Sequence, residues 1–383
     1  MPGLWLVPLP VPPLLKEVSS MSGNLHQVLQ VLWFLLIAVL LTGYFVLDGF
    51  DLGSGILYPF IAKDDREKSV IRRAVGPLWD GNEVWLLTGG GALFAAFAPA
   101  YATSFSGFYL AIMLVLFGLI LRGMAVEMTS LDKSWSKFWD IAFCVGSFLP
   151  ALLFGAAIGN VIQGIALDAH GDYRGGFFSL LNPFALLCAV MGLVAFITQG
   201  AAWLSLKAPQ HSDLHKRAQS MRSLFQIVEL VVFVVVSAYF LLLVRPQLGA
   251  DRVALPLAYV FAAICTVGWL LARFFIGKKN DLMSFIAVNI VPVCLIGITA
   301  ATMFPNLIPA ADNPQGLVTY FIIPGAAMPE LSLTIFNSSN SELTLLAMTI
   351  ITCIGLPLVL TYHVILYRVF RGRIKDDELH QGY

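Results

Sequence analysis

The sequence predicts an all-α polytopic membrane protein with nine transmembrane helices. Three observations carry that expectation. Of 383 residues, 58% are hydrophobic and 12% charged, about half the charged share of a soluble domain. Apolar runs of about twenty residues, the length that crosses the hydrocarbon core of a bilayer, recur along the whole chain. Basic residues are concentrated in alternate connections, as a multi-pass topology requires.

Residues 1–22 form a leader interrupted by Pro2, Pro8, Pro10, Pro12 and Pro13. It lacks a charged start and a small-residue cleavage site, so it does not read as a signal peptide. It is expected either to be disordered or to precede the true start at Met21. Residues 23–370 then form a single transmembrane domain, followed by a tail at 371–383. The spans are expected near 28–50, 79–98, 104–124, 138–164, 181–204, 224–244, 254–276, 283–304 and 344–367. The first run continues to about Ile61, and as one straight helix it would be roughly 50 Å long, more than a perpendicular span needs. The Gly-rich segment Asp48-Gly-Phe-Asp-Leu-Gly-Ser-Gly55 is where it is expected to bend.

Local signals place several ends. Pro77 suits the first turn of the second span. Ser339 and Glu342 have the spacing of a capping box before the ninth. Gly49/Gly53 and Gly155/Gly159 have the small-residue spacing that lets membrane helices approach closely. The connection 305–343 is long and has no basic residue. Its apolar pieces Tyr320-Phe-Ile-Ile-Pro and Leu331-Ser-Leu-Thr-Ile-Phe suit docking on the membrane surface or on a partner.

The segments after the odd-numbered spans, with the adjoining span ends, carry 19 of the 23 Lys and Arg residues. The positive-inside rule therefore places the N-terminus outside and the C-terminus in the cytoplasm. Net charge is zero, which argues against nucleic acid as a partner. The five cysteines lie inside apolar runs without CxxC spacing and read as small core residues, not as metal ligands.

Most of the chemistry-bearing residues converge on one connection. Asp48 and Asp51 lie where the first span ends, and Asp80 and Glu83 where the second begins. Each pair is three residues apart, so on a helix it shares a face. An ionised acid costs about 2.5–3.5 kcal/mol at the bilayer centre and less near a helix end. Capping of a helix N-terminus is the competing reading for Glu83 and, less so, for Asp80, but capping does not account for Asp48 and Asp51. Four neighbouring acids share protons, so a proton entry site or a cation site is the functional reading. Arg122, which ends the third span on the same side, is the candidate charge partner for one of them. Asp140, after Trp139, reads as a capping acid, whereas Glu229 lies about two turns inside the sixth span. Of six histidines only His363 falls inside a run, too few for the facing axial ligands of a transmembrane haem. Walker, Rossmann and nucleophile-triad patterns are absent from the sequence.

These residues closely resemble subunit II of the cytochrome bd quinol oxidases, including the cyanide-insensitive branch. The likeness is carried by Gly43-Tyr-Phe-Val-Leu-Asp-Gly-Phe-Asp-Leu-Gly53 and Trp79-Asp-Gly-Asn-Glu-Val-Trp85. It continues through Gly89-Gly-Gly-Ala-Leu-Phe-Ala-Ala-Phe97, Gly146-Ser-Phe-Leu-Pro150, Leu181-Asn-Pro-Phe184, Ile197-Thr-Gln-Gly-Ala201 and Met303-Phe-Pro305. It runs from about residue 23 to the C-terminus.

The resemblance implies two four-helix bundles plus one peripheral helix in the inner membrane of a bacterium. It implies a partner subunit I that carries the haems (b and d, or b only) and oxidises quinol. The complex reduces oxygen to water with protons from the cytoplasm, contributing to the proton gradient without pumping. This chain would then bind no haem itself, with room for a quinone and for small single-helix subunits, among membrane lipids. Residue by residue, Asp80 matches the family acid on a proton route, and Asp48, Asp51 and Glu83 match its acidic or polar neighbours. Trp85 matches a tryptophan near an oxygen route, and Arg122 a family arginine. Phe336-Asn337 departs from the Trp-Asp of the family pattern, which removes the basis for an acid-dependent role in that outer loop. Two other readings of the chain stay open: a cation- or proton-coupled secondary transporter, and a purely structural assembly subunit. Against the transporter, only the first span reads as broken.

Overall fold

A computed structural model describes residues 13–131, 133–249, 252, 254–311 and 327–375, with side chains from residue 24 onward except at 130 and 133. Residues 1–12, the apolar piece Tyr320–Pro324 and residues 376–383 lie outside the described residues; of the leader, Pro13 to Ser22 belongs to the backbone of the first helix.

The first span is two helices, α1 (Pro13–Leu47) and α2 (Gly49–Ile61), separated at Asp48. A short amphipathic helix, α3 (Asp65–Val75), follows, capped by the Asp64 side chain on Glu67 N. Next come α4 (Trp79–Ala96), α5 (Ala98–Gly107), α6 (Tyr109–Leu131) and α7 (Ser136–Gln163). The second half holds α8 (Pro183–Lys207), α9 (Asp213–Tyr239), α10 (Leu255–Gly277), α11 (Asp281–Val288), α12 (Ile290–Met303) and α13 (Glu342–Val369). Two short strands, β1 (Asn306–Ile308) and β2 (Leu333–Thr334), pair antiparallel in the connection before α13.

Among the described residues, eight helical segments are long and apolar enough to cross a membrane. They match the expected spans with one exception, α4, whose first turns carry Asp80, Asn82 and Glu83 and dilute its apolar character. Two local expectations need correction. The helix after Pro77 begins two residues later, at Trp79, so Pro77 lies before its first turn. The cap of α13 is Ser341, whose hydroxyl accepts from Thr344 N (3.3 Å), and not Ser339. Ser339 accepts a hydrogen bond from Gln30 of α1 (2.6 Å).

The helix is interrupted at Asp48, inside the segment where a bend was expected, and an interruption that was not foreseen divides the eighth span at Asn289 into α11 and α12. Asn289 directs its amide back to Phe285 O (2.8 Å), a local bond that competes with the regular helix ladder.

The helices pack as neighbours in sequence: α6 on α7, α7 on α8, α8 on α9, and α10 on α11 and α12. Helix α2 lies between α7 and α8, and α1 packs on α4 and α12. Small residues set these distances. A Cβ on Gly53 would strike the Phe196 carbonyl of α8, and one on Gly200 would strike the backbone at Gly53. Gly155 and Gly159 bring α7 against the Cys188–Ala189 and Ala185 backbone of α8 in the same way. Helix α13 touches mainly α1 and α4 and leaves most of its apolar surface open, with Leu343, Ile351 and Leu358 exposed. The five cysteines are free thiols, three of them buried.

Candidate functional site: a buried arginine at the broken first helix

The break in α1 has a visible cause. The carbonyls of its last turn, Phe45 O and Leu47 O, accept from Gln199 Nε2 of α8 (3.1 Å) and Asn82 Nδ2 of α4 (2.9 Å). Side chains inserted into the helix ladder bend a helix in this way. Gln199 Nε2 also reaches Asn289 Oδ1 (2.8 Å), so one side chain bridges the two breaks.

The break places Asp48 and Asp51 inside the helix packing, both with no solvent exposure. Arg122 of α6 is equally buried and donates through Nη1 to both carboxylate oxygens of Asp48 (2.8 and 2.9 Å). Its Nη2 pairs with Glu83 of α4. One guanidinium thus joins two acids, where the sequence suggested one. The fork geometry of arginine suits such charge-assisted pairing. Breaking a buried pair of this kind costs about 3–5 kcal/mol, because the remaining charge loses its partner.

Asp51 is held differently. Its Oδ2 accepts from Asn82 Nδ2 (2.7 Å), while Oδ1 is buried without a hydrogen-bond partner. Tyr367 of α13 donates to Asn82 Oδ1 (3.2 Å), tying α13 to the same group. Glu83 is the least buried member, and it lines a groove of about 360 Å³ between α4 and α6 with Trp79, Leu87, Ile120 and Met124. The three acids Asp48, Asp51 and Glu83 therefore form one group around Arg122 and Asn82. Asp80 does not join it: its side chain is exposed at the start of α4.

Trp85, one turn further along α4, donates from Nε1 to His363 Nε2 of α13 (3.1 Å). Indole nitrogen only donates, so Nε2 must accept and the ring proton sits on Nδ1, which donates to Val359 O (2.9 Å). Both nitrogens of His363 are engaged, which does not fit an axial haem ligand. Among the described residues, no group of three or more His, Cys, Asp or Glu side chains is placed to hold a metal.

Three further polar clusters escaped sequence reasoning because their members are far apart in the chain. Asp140, expected as a simple cap, accepts from Tyr58 (2.5 Å) and Lys68 (2.6 Å), and Arg72 bonds the same tyrosine. Arg217 of α9 reaches Glu67 and Ile61 O (2.8 Å), fastening α3 to the second half. Asp281 collects His215 (2.9 Å), Gln219 (3.0 Å), Arg222 (3.0 Å) and Arg373 (2.8 Å). Arg373 also donates to Ala208 O (2.7 Å), so the segment after α13 lies against the end of α8.

Fold and site together define the class: a polytopic helical membrane protein whose ionisable residues gather at a broken helix. The comparisons give the family. The sequence profile of cytochrome bd terminal oxidase subunit II matches residues 29–370. The probable cytochrome oxidase subunit 2 of Haemophilus influenzae is 34% identical over 379 positions, covering 91% of this chain and 96% of that one. The cytochrome bd-I ubiquinol oxidase subunit 2 of Escherichia coli K12 is 32% identical over 389 positions, covering 93% and 98%. In structure, a chain of the bd oxidase from Geobacillus thermodenitrificans is similar with a TM-score of 0.71 at 14% identity, over 90% of this chain and 98% of that one. The chain belongs to the cytochrome bd terminal oxidase subunit II family.

Proposed function

We propose that this chain is the haemless subunit II of a bacterial inner-membrane quinol:oxygen oxidoreductase. It supports a haem-bearing subunit I and provides part of the access for the protons consumed when oxygen becomes water. In this reading the haems reside in subunit I, and the chain contributes to the proton gradient without pumping. With α4 added as the second span there are nine, the helices form two four-helix bundles with α13 peripheral, and the N-terminus is outside with the C-terminus cytoplasmic. The basic-residue alternation supports that orientation.

The observation that carries the reading is the Asp48–Arg122–Glu83 arrangement with Asp51 beside it. Two carboxyls share one guanidinium, and a third, Asp51, is buried beside them. A group with more acids than bases, out of water, holds protons and passes them on as neighbouring charges change. Glu83 faces the groove, Asp48 and Asp51 lie deeper, and Asp80 is the exposed acid one turn before Glu83. That order suits a route inward from the cytoplasmic face, with Asp80 collecting and the buried acids relaying. The placement of Trp85 beside an oxygen route rests on the family likeness; its bond to His363 adds the duty of fastening α13 to α4.

The test is the complex itself. Solubilised in mild detergent, the protein should bring down a partner with haem absorption, and Asp80→Asn should keep that spectrum while slowing quinol-driven oxygen uptake. A protein that purifies without a haem-bearing partner would refute the reading. The second break, at Asn289, is the one observation in favour of a transporter, since paired broken helices build ion sites in that class. Family membership outweighs it.

A further inference from the structure

Helix α9 has an inverted polarity. Its outer face is apolar, with Leu224, Ile227 and Val231 about half exposed, while Arg222, Gln226 and Glu229 are each 1% exposed. Those three positions follow the spacing i, i+4, i+7 and form one stripe. The stripe begins at the Asp281 cluster, where Arg222 is paired (3.0 Å). It continues through Gln226, whose Nε2 donates to Trp269 O of α10 (2.9 Å). It ends at Glu229, about 10 Å further along the helix axis, close to the middle of the segment Asp213–Gln247.

Each residue of the stripe carries a buried atom without a protein partner: Arg222 Nε, Gln226 Oε1 and Glu229 Oε2. Leaving such atoms unsolvated is unfavourable, and polar sites of this kind are where internal water resides. Glu229 lies against Thr198 of α8 and Trp269 of α10, with the free thiol Cys265 of α10 nearby. No cation is among these neighbours. Thr198 is followed by Gln199, the residue that bridges both helix breaks and whose Oε1 is likewise buried without a partner.

We propose that the Arg222–Gln226–Glu229 stripe is a hydrated proton branch, with Glu229 as its carboxyl store, leading from the Asp281 cluster toward the Gln199 bridge. A hydronium-borne proton adds to the Glu229 carboxylate and leaves by the same water chain or toward Gln199; no bond other than O–H forms or breaks. The branch extends the proposed proton access and rests on that reading for its use in turnover, but its proton exchange is a property of its own.

The experiment is infrared spectroscopy of the purified complex during exchange from H2O into D2O, with the visible spectrum confirming assembly. Wild type should show a protonated-carboxyl band that Glu229→Gln lacks. Gln226→Leu should keep the band and slow its deuterium shift by about tenfold, equivalent to ~1.4 kcal/mol in the barrier. A band set unchanged in Glu229→Gln would overturn the store, and wild-type exchange in Gln226→Leu would overturn the route. If Glu229→Gln did not assemble, the Gln226→Leu exchange rate would still decide. Asp48→Asn should leave the Glu229 band in place, so failure of the main acid group reads separately from failure of the branch.

Discussion

Arg122 Nη1 lies 2.8 and 2.9 Å from the two oxygens of Asp48, and neither side chain has any solvent exposure. The pair joins α6 to the break in the first span, 74 residues away in sequence. A charge-assisted bond out of water, one nitrogen shared between two oxygens, both holds the helices in register and fixes where the remaining acids sit. Stability and the proposed proton handling therefore depend on the same guanidinium.

Arg122→Leu should destabilise the assembled complex by about 3–5 kcal/mol, because Asp48 and Glu83 lose their common partner. Thermal release of haem absorbance measures it. The pair Asp48→Asn with Arg122→Gln should be less harmful than Arg122→Leu alone, since no unpaired charge stays at Asp48. A double variant worse than the single would remove the argument.

The α2–α8 contact gives a steric test. Gly53→Leu should cost at least ~1–3 kcal/mol, because the side chain meets the Phe196 carbonyl, which is backbone and cannot turn away. Gly90→Ala has nothing within 4 Å of the new Cβ and should stay within about 0.5 kcal/mol of wild type. Equal effects at both sites, read from expression and melting, would contradict the close approach.

Trp85→Phe keeps an aromatic ring but removes the indole N–H that donates to His363, together with the five-membered ring. The expected loss is at least about 0.5–1.5 kcal/mol, centred on α13. Hydrogen exchange in α13 should rise while α6 and α7 remain protected.

In the connection between α7 and α8, the backbone N–H of Asp172, then that of His170, and the Arg174 side chain hold the Asp168 carboxyl below its usual range. A depressed value stabilises the folded loop above the unfolded carboxylate pKa of about 3.9 and loses that effect as pH falls through the lowered value. The protection of the Asp172 amide, relative to its intrinsic exchange rate, should therefore fall as the pH drops below about 4. Asp168→Asn should exchange at the faster rate at neutral pH and show no such step.

The membrane class, the span positions and the bend at Asp48 were legible because composition, run length and glycine content act locally. The second break was not. Asn289 sits in a uniformly apolar run, and its effect depends on a bond to its own helix at Phe285 and on Gln199 from another. Arg122 was readable as lying near the acids, but its two partners were not. The three-residue spacing of Asp80 and Glu83 suggested one face, whereas α4 begins at Trp79 and leaves Asp80 outside while Glu83 turns inward. The His363–Trp85 bond joins positions 278 residues apart, beyond any local pattern. Glu229 stood out by depth alone, and only the packing shows the Arg222 and Gln226 that precede it on one buried face.

The most direct test of the proton reading follows the protons themselves. In proteoliposomes holding the complex with its cytoplasmic face outward, an external pH-sensitive dye records uptake during a quinol-driven turnover. Asp48→Asn should keep the wild-type haem spectrum and slow both proton uptake and oxygen consumption by at least about tenfold, a barrier of ~1.4 kcal/mol or more. Uptake at the wild-type rate in a fully assembled Asp48→Asn complex would contradict a proton route through the buried acids.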